Sequence, residues 1–379
     1  MLFCCCKLTC PPFREGLPNA SCACAALWLW FQRLRLSVRR ISMGPMTNRP
    51  LLLLTLGDVA GIGPEIIARS WPDLLPLCRP VVVGDSRWMR QALELVGSKA
   101  LVVELVRPAE REAGPEVVPL IRATQQELSG VQPGTINAAA GQAAYDFLCA
   151  AIDLVHTGAA DGIVTAPLHK EGLRAAGLDY PGHTEILAER TGCRKIAMLL
   201  YCDGLAVAHV TLHVALRDVF GYMSQEAVLE KTRLLDEMLS RLLDRRPRIG
   251  VAALNPHASD GGLFGDEEER IIAPAVNAAR AEGLDASGPW PCDTLFVRAQ
   301  RGEFDGVVAM YHDQGHIALK LLGGNRAVNI TAGLPIVRTS VAHGTAYDIA
   351  GKGIADAGSM VEAVRVAARL AGTQKRKTP

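Results

Sequence analysis

Residues 305–340 read DGVVAMYHDQGHIALKLLGGNRAVNITAGLPIVRTS, a stretch that combines a short apolar run, a His-Asp pair, a lysine, an asparagine and an arginine with glycines where the chain must turn. Gly306–Met310 is a valine-containing run of the kind that forms a strand covered on both faces in a parallel sheet. Tyr311-His312-Asp313-Gln314-Gly315 follows at its end. Ligands of open α/β sheets bind at the carboxyl ends of strands, so His312 stands where a ligand would be. Asp313 beside it can orient the ring or carry a proton. Ile317–Leu322 reads as helical or irregular, Gly323-Gly324 breaks it, and Val328–Thr331 resumes as a strand. Lys320, Asn329 and Arg338 are placed to converge on an anion, lysine as a point charge and arginine as a planar two-pronged donor. Taken alone, each reads more simply as a solvated surface charge.

Outward from this stretch, strands and helices alternate. Leu51–Leu56 reads as a buried strand that feeds Gly57-Asp58-Val59-Ala60-Gly61-Ile62-Gly63-Pro64-Glu65 into a helix with Pro64 near its first turn. The spacing is not GxGxxG, so no dinucleotide fingerprint is present. Val81–Val83 and Leu101–Val106 read as strands around a helix through Met89–Val96; Gln142–His156 reads as a helix and Gly162–Thr165 as the next strand. This order predicts an α/β protein with a largely parallel sheet. His183 and Thr184 precede a helix at Ile186–Thr191, where backbone donors favour a negative ligand group, although Thr184 also suits a simple cap. Ile196–Tyr201 and Leu205–Val214 flank Cys202-Asp203-Gly204 as a hairpin. His209 and His213 lie four apart, but along a strand that is about 13 Å, so at most one is a ligand of a given ion. His213, nearer the strand end, is the better candidate and His209 reads as a core histidine. Gln225–Asp244 is an amphipathic scaffold helix. Arg248–Leu254 then delivers His257 and a glycine-rich loop, and Asp266–Glu269 supplies acidic residues to a helix start. Gly288–Thr294 reads as a rigid loop in which Asp293 is a candidate acid/base group, and Val364–Leu370 as the closing helix.

The chain has 379 residues, 49% apolar and 21% charged, with a net charge of +1. That composition predicts a globular fold with room for two lobes. It gives no basic face for nucleic acid, and no membrane segment is indicated. Small molecules are the expected partners. Six of the eleven cysteines, Cys4, Cys5, Cys6, Cys10, Cys22 and Cys24, fall in the first 24 residues, while the other five are scattered as thiols of a reducing compartment. Residues 1–46 carry an apolar patch too short to span a bilayer, with arginines after it rather than before it. They read as a non-native or disordered extension, with the catalytic unit at 47–374 and a solvated tail at 375–379.

His213, His257 and His312 each follow a predicted strand. Three neutral imidazoles with an open position are the pattern of a catalytic divalent metal site, although no spacing ties these three together. A lone histidine of this sort is usually structural.

The motifs GDVAGIGPE, TAPLHK, PGHTE, LNPHASDGGLFGDEE, MYHDQG, NITAGLPIVRTS and HGTAYDIAGKG, spread from about Leu51 to Ala371, resemble those of the 4-hydroxythreonine-4-phosphate dehydrogenase family of vitamin B6 biosynthesis. The resemblance implies two α/β/α lobes of the isocitrate/isopropylmalate dehydrogenase type with a cleft between them. It also implies a cytoplasmic homodimer with its site at the subunit interface, and an oxidation by NAD or NADP, assisted by Zn, Mg or Co, of 4-phosphohydroxy-L-threonine to a β-keto acid that decarboxylates. Carried over by motif, the metal ligands are His213, His257 and His312, and the substrate contacts are His183, Thr184, Lys320, Asn329 and Arg338. Asp293, Asp313 and Lys320 are candidates for moving the proton. Two departures stand out: Leu56 where a proline is usual before GD, and Gly315-His316-Ile317-Ala318-Leu319-Lys320 where GLPVLK is commoner. GHIALK is similar to a branch that oxidises 4-phospho-D-threonate or 4-phospho-D-erythronate; a further branch acts on ring dihydrodiols. His316 is a candidate reader of the substrate or a packing residue. The competing readings are a family member without catalysis and a metal hydrolase, the latter weakened by the lack of a placed glutamate base.

Overall fold

The computed structural model describes residues 49–377. It opens on β1 (Leu51–Thr55), whose five side chains are all buried, as leucines in a doubly covered strand must be. α1 (Gly63–Leu74) starts with Pro64 in its first turn, where a missing N–H costs nothing. Gly63 is required, since a Cβ there would lie 2.1 Å from the Leu56 carbonyl oxygen. β2 (Arg79–Gly84), α2 (Ser86–Leu95), β3 (Leu101–Leu105) and β4 (Val117–Arg122) follow. β4 was not anticipated, because Pro119 argues against a strand interior. The sheet accommodates it: pairing with β2 begins only at Leu120, past the proline.

Next come α3 (Ala138–His156), β5 (Gly162–Thr165), α4 (Lys170–Ala175), α5 (His183–Thr191), β6 (Ala197–Cys202) and β7 (Leu205–His209). α3 is long and apolar enough to cross a membrane by length and composition, but it packs on β1, β2 and β5 with Phe147, Leu148 and Ile152 buried, as a sheet-covering helix does. After α6 (Val219–Tyr222) and α7 (Gln225–Leu243) come β8 (Ile249–Ala252), α8 (Ala273–Ala281), β9 (Ala286–Trp290) and α9 (Cys292–Gln300). β10 (Gly306–Ala309), α10 (His312–Gly323), β11 (Val328–Ala332), β12 (Arg338–Val341) and α11 (Gly358–Lys377) complete the chain.

The strands form one twelve-stranded sheet in the order β3-β4-β2-β1-β5-β12-β11-β6-β7-β10-β8-β9. β3 through β12 are parallel, and so are β7, β10, β8 and β9. Three antiparallel pairings in succession, β12 with β11, β11 with β6 and β6 with β7, reverse the direction between these halves. The carboxyl ends of β7, β10 and β8 therefore meet at one edge of the sheet, and those of β1, β5 and β12 at the other. This is a mixed α/β fold on a large sheet, as anticipated. Its apolar core divides into a main cluster and a smaller one around Val207, Phe296, Val307 and Leu319 in the second half.

Three local expectations are corrected. The strand expected to run to Val214 ends at His209, because Val210 and Thr211 leave β6 and bond instead to the end of β10. The loop expected over 288–294 is the end of β9 and the start of α9. α11 runs seven residues past Leu370, through residues expected as tail. The expected extension over residues 1–46, with its six clustered cysteines, lies outside the described residues; Cys78, Cys149, Cys193, Cys202 and Cys292 are free thiols.

Candidate active site

The second-half edge of the sheet gathers four histidines. Thr211 ties the segment after β7 to β10, both its N–H and its hydroxyl donating to the Met310 carbonyl at 3.2 and 2.9 Å. Gln314 anchors the start of α10 by accepting the Met310 N–H and donating to the Ala253 carbonyl, both at 2.7 Å, so β10, α10 and the end of β8 are held as one unit. His312 is the first residue of α10, and its ring centroid lies 5.9 Å from that of His213, 6.3 Å from His209 and 3.8 Å, stacked, from His316. Asp313 Oδ1 is 2.7 Å from His312 Nδ1, which orients the ring and leaves Nε2 free. His316 Nδ1 is 3.1 Å from His209 Nε2. His209 is thus more than the core histidine expected: it is buried, but it sits inside this cluster. No continuous strand holds it about 13 Å from His213, since β7 ends at His209 itself.

Burial, then the neighbouring Lys170 and His312, lowers the His213 pKa, while Glu185 opposes the shift. Lys170 and Glu185 begin α4 and α5, so the loops after β5 face this histidine cluster. Burial, then His316 and His312, pushes His209 down to about 3, and burial, then His312 and Lys320, pushes His316 down to about 4. His209 and His316 are therefore neutral imidazoles near pH 7.

Arg338, expected to bind an anion, is only 2% exposed. Its Nη1 donates to Thr331 Oγ1 at 2.9 Å and its Nη2 to Thr165 Oγ1 at 2.7 Å, and Nε has no partner among the described residues. Burial without a bonded carboxylate lowers its pKa to about 9, with only Glu185 acting the other way. Asn329 pairs with Ser340 and with Leu200, which in turn pairs with Val207, the strand residue that α10 covers. Because side chains alternate along a strand, Asn329, Thr331 and Arg338 share the α10 face of the sheet. The buried Asn329 Oδ1 is also without a partner among the described residues. His183 and Thr184 open α5; burial and then the Arg338 charge hold His183 well below the usual imidazole range. Lys320 is exposed and lines a cavity of about 550 Å³ with Ile62, Ala327, His343, Asp356 and Ser359.

His257 stands apart from this grouping. It lies in a turn in which His257, Ala258, Ser259 and Asp260 all have positive φ, from 46° to 68°, a conformation that L residues rarely adopt. Glu268 holds it there, accepting the Leu254 and Asn255 N–H groups at 2.8 and 2.7 Å, the Asn255 amide at 3.0 Å, and the Ser259 hydroxyl. Although burial opposes it, these bonds lower the Glu268 pKa. Glu268 therefore clamps the loop while also standing, with Glu269, in the first turn of the helical segment Glu268–Ile272, as expected. The ring beside His257 is Phe264, at 6.5 Å. Asp293 is exposed and accepts the Thr294 N–H at 2.9 Å.

A divalent ion is fitted in part. His213 and His312 offer two imidazoles on one edge, 5.9 Å apart between ring centroids, with the second already oriented by Asp313. Among the described residues, no group of three His, Cys, Asp or Glu is set to hold an ion. Lys170 and Glu185, which sit inside the TAPLHK and PGHTE motifs, carry no local signal of their place beside His213. Nor does Asp58, which accepts the Tyr347 hydroxyl at 2.6 Å and so ties the GDVAG turn to the HGTAYDIAG loop.

A family model described as pyridoxal phosphate biosynthetic protein PdxA matches residues 76–367. The chain is 48% identical over 330 residues to a 4-hydroxythreonine-4-phosphate dehydrogenase of Beijerinckia indica, covering 86% of this chain and 96% of the relative. It is 45% identical over 323 residues to a D-threonate 4-phosphate dehydrogenase of Pectobacterium atrosepticum, covering 85% and 99%. Among solved structures, a 4-hydroxythreonine-4-phosphate dehydrogenase from Klebsiella pneumoniae superposes with a TM-score of 0.79 at 44% identity, covering 86% and 99%.

Proposed function

This chain belongs to the PdxA family of pyridoxal phosphate biosynthetic proteins, and on that premise we propose that it is a metal-dependent, NAD- or NADP-linked dehydrogenase. Its substrate is a 4-phosphorylated four-carbon hydroxy acid, either 4-phosphohydroxy-L-threonine or D-threonate 4-phosphate, which is oxidised at C3 to a β-keto acid that loses carbon dioxide. The observation that carries this reading is the buried Arg338 guanidinium, bonded among the described residues to neutral hydroxyls and sharing a face with Asn329, whose Oδ1 has no partner among them. A buried cation without a counter-ion is costly, and an anionic substrate group would compensate it.

His213 and His312 would hold the ion, with Asp313 fixing the His312 ring. An ion held there would supply Lewis acidity at the substrate hydroxyl, and a bound nicotinamide would supply the hydride acceptor. Arg338, Asn329, Lys320, His183 and Thr184 orient the substrate's anionic groups. Of the three residues considered for proton transfer, Lys320 fits best: it lines the large cavity, whereas Asp313 is engaged by His312 and Asp293 by its own helix start. The two sheet halves form two lobes around a cleft within a catalytic unit at 47–374. The active unit is a cytoplasmic homodimer in which His257, standing off from its own chain's cluster, completes the ligand set of the second copy. Exposed Phe220, Tyr222, Leu263, Phe264 and Leu321 suit coverage by that copy.

The test is NADH or NADPH formation from both substrates with Zn, Mg or Co, with and without chelator. His257→Ala is expected to abolish metal-dependent turnover, and mixing it with His213→Ala subunits to restore part of it. An undiminished rate in His257→Ala removes the ligand set, and chelator-resistant turnover removes the metal.

A further inference from the structure

His312, His316 and Lys320 are spaced i, i+4, i+8 and form one stripe of α10. His316 is therefore just over one helical turn, about 6 Å of rise, from each neighbour. One neighbour is proposed to hold the ion at the reacting hydroxyl and the other to hold the substrate. His316 is 8% exposed, its ring stacks on His312 at 3.8 Å, and its Nδ1 is 3.1 Å from His209 Nε2. Two neutral imidazoles joined in this way must be one donor and one acceptor.

The surroundings of His209 decide which. Its ring is 2% exposed, and its other nitrogen, Nδ1, is enclosed without a partner among the described residues. If the His209 proton were on Nδ1, a buried N–H donor would be orphaned, which folded proteins tolerate less readily than an orphaned acceptor. The proton therefore sits on His209 Nε2 and is donated to His316 Nδ1. His316 then carries its own proton on Nε2 and can only donate from that nitrogen.

We propose, resting on the dehydrogenase reading above, that His316 is a specificity residue, locked by His209 as an Nε2–H donor that favours a hydroxyl over an ammonium on the carbon between the carboxylate and the oxidised carbon. A hydroxyl accepts that N–H. An ammonium has three donors and no acceptor, so the two groups face each other unpaired. The favoured substrate class is thus the 4-phosphorylated aldonic acid, D-threonate 4-phosphate, over its amino analogue. His316 binds substrate in this account, and His209 is a positioning residue that acts through it.

The experiment measures kcat/KM on D-threonate 4-phosphate and 4-phosphohydroxy-L-threonine for the wild type, His316→Leu, His316→Gln and His209→Phe. It is paired with 15N-edited NMR of the histidine rings in metal-free wild type. The wild type is expected to prefer the hydroxyl substrate at least about tenfold. His316→Leu should lose that preference through the hydroxyl substrate alone, His316→Gln should keep most of it by retaining an N–H donor, and His209→Phe should fall between. The His316 ring should appear as the Nε2–H tautomer, a readout that survives even if a variant fails to fold. A wild-type preference for the amino substrate, a ratio unmoved in His316→Leu, or an Nδ1–H tautomer at His316 overturns the inference. Turnover of neither substrate by the wild type defeats the dehydrogenase reading itself.

Discussion

His316 Nδ1 approaches His209 Nε2 to 3.1 Å only because the residue between His316 and Gln314 has no side chain. A Cβ on Gly315 would lie 2.4 Å from His209 Nε2 and 2.7 Å from Val207 Cγ1. Both are enclosed, so α10 would have to lift from β7, taking His312, His316 and Lys320 with it. Gly315→Ala is expected to cost about 1–3 kcal/mol in urea denaturation and to lower kcat/KM at temperatures where the variant is still folded. A variant with parental stability and parental rate would show that the close approach is dispensable.

The depressed histidines set a pH dependence. Burial and neighbouring imidazoles place His209 at about 3 and His316 at about 4 in the folded chain, whereas an unfolded imidazole titrates near ~6.5. Between those values the unfolded state binds more protons than the native state, so stability is complete above the unfolded value and falls as pH drops toward 4. Each group takes up to ~1.4 kcal/mol per pH unit in that window. Chelator-treated protein should therefore lose more stability between pH 7 and pH 5 than His209→Phe does. Parallel pH profiles for the two proteins would contradict the burial of these rings.

Much of this architecture was legible from the chain. The leucine run at β1, the valines of β10 and the hairpin at Asp203-Gly204 announce themselves by composition and turn chemistry. β4 was not legible, since Pro119 disguises a strand that only its neighbours stabilise. Nor was the reversal of sheet direction, which depends on how β11 and β6 insert between distant strands. His312 and His213 were singled out because strand ends mark ligand sites, and the fold brings their rings to 5.9 Å. His209 was read as a core histidine and is buried, but its contact with His316 was not legible, because it comes from a helix 107 residues away in sequence and no local pattern carries it.

Asp305 illustrates the opposite end of β10. It is 6% exposed and accepts both Nη groups of Arg245 at 2.9 and 2.8 Å, together with the N–H, Nε and Nη2 of Arg248 at 2.9 to 3.2 Å. Although burial opposes it, these donors hold its carboxyl well below the usual range. The stability it contributes is present above the unfolded value near ~3.9 and is lost as pH falls through the folded one. Because both arginines are partly exposed, Asp305→Asn is expected to cost about 1–2 kcal/mol rather than the full value of a buried pair. The residue sits at the strand end away from His312, so KM and kcat on the preferred substrate should stay within about twofold. A large kinetic defect at full folding would mean that this end of the strand reaches the site.

Arg338 separates stability from function most sharply. Its guanidinium is buried and bonded to two threonine hydroxyls, with no carboxylate bonded to it among the described residues; burial lowers its pKa to about 9, opposed by the Glu185 charge. Replacing a buried ion pair with apolar side chains of similar volume is often neutral or stabilising, by ~1–4 kcal/mol, because the desolvation cost is removed, and the same cost falls on this guanidinium. Arg338→Met is therefore expected to denature at equal or higher urea than the parent. The same change removes the cation proposed to meet the substrate's anionic group, so KM should rise about 100-fold or more, as when one partner of a desolvated charge pair is lost. Arg338→Lys keeps the charge but cannot bond Thr331 and Thr165 at once, so it should recover little of that loss. If Arg338→Met destabilises the fold while KM is unchanged, the guanidinium is a structural brace between β12, β11 and β5, and the anion site must be sought elsewhere on the α10 face.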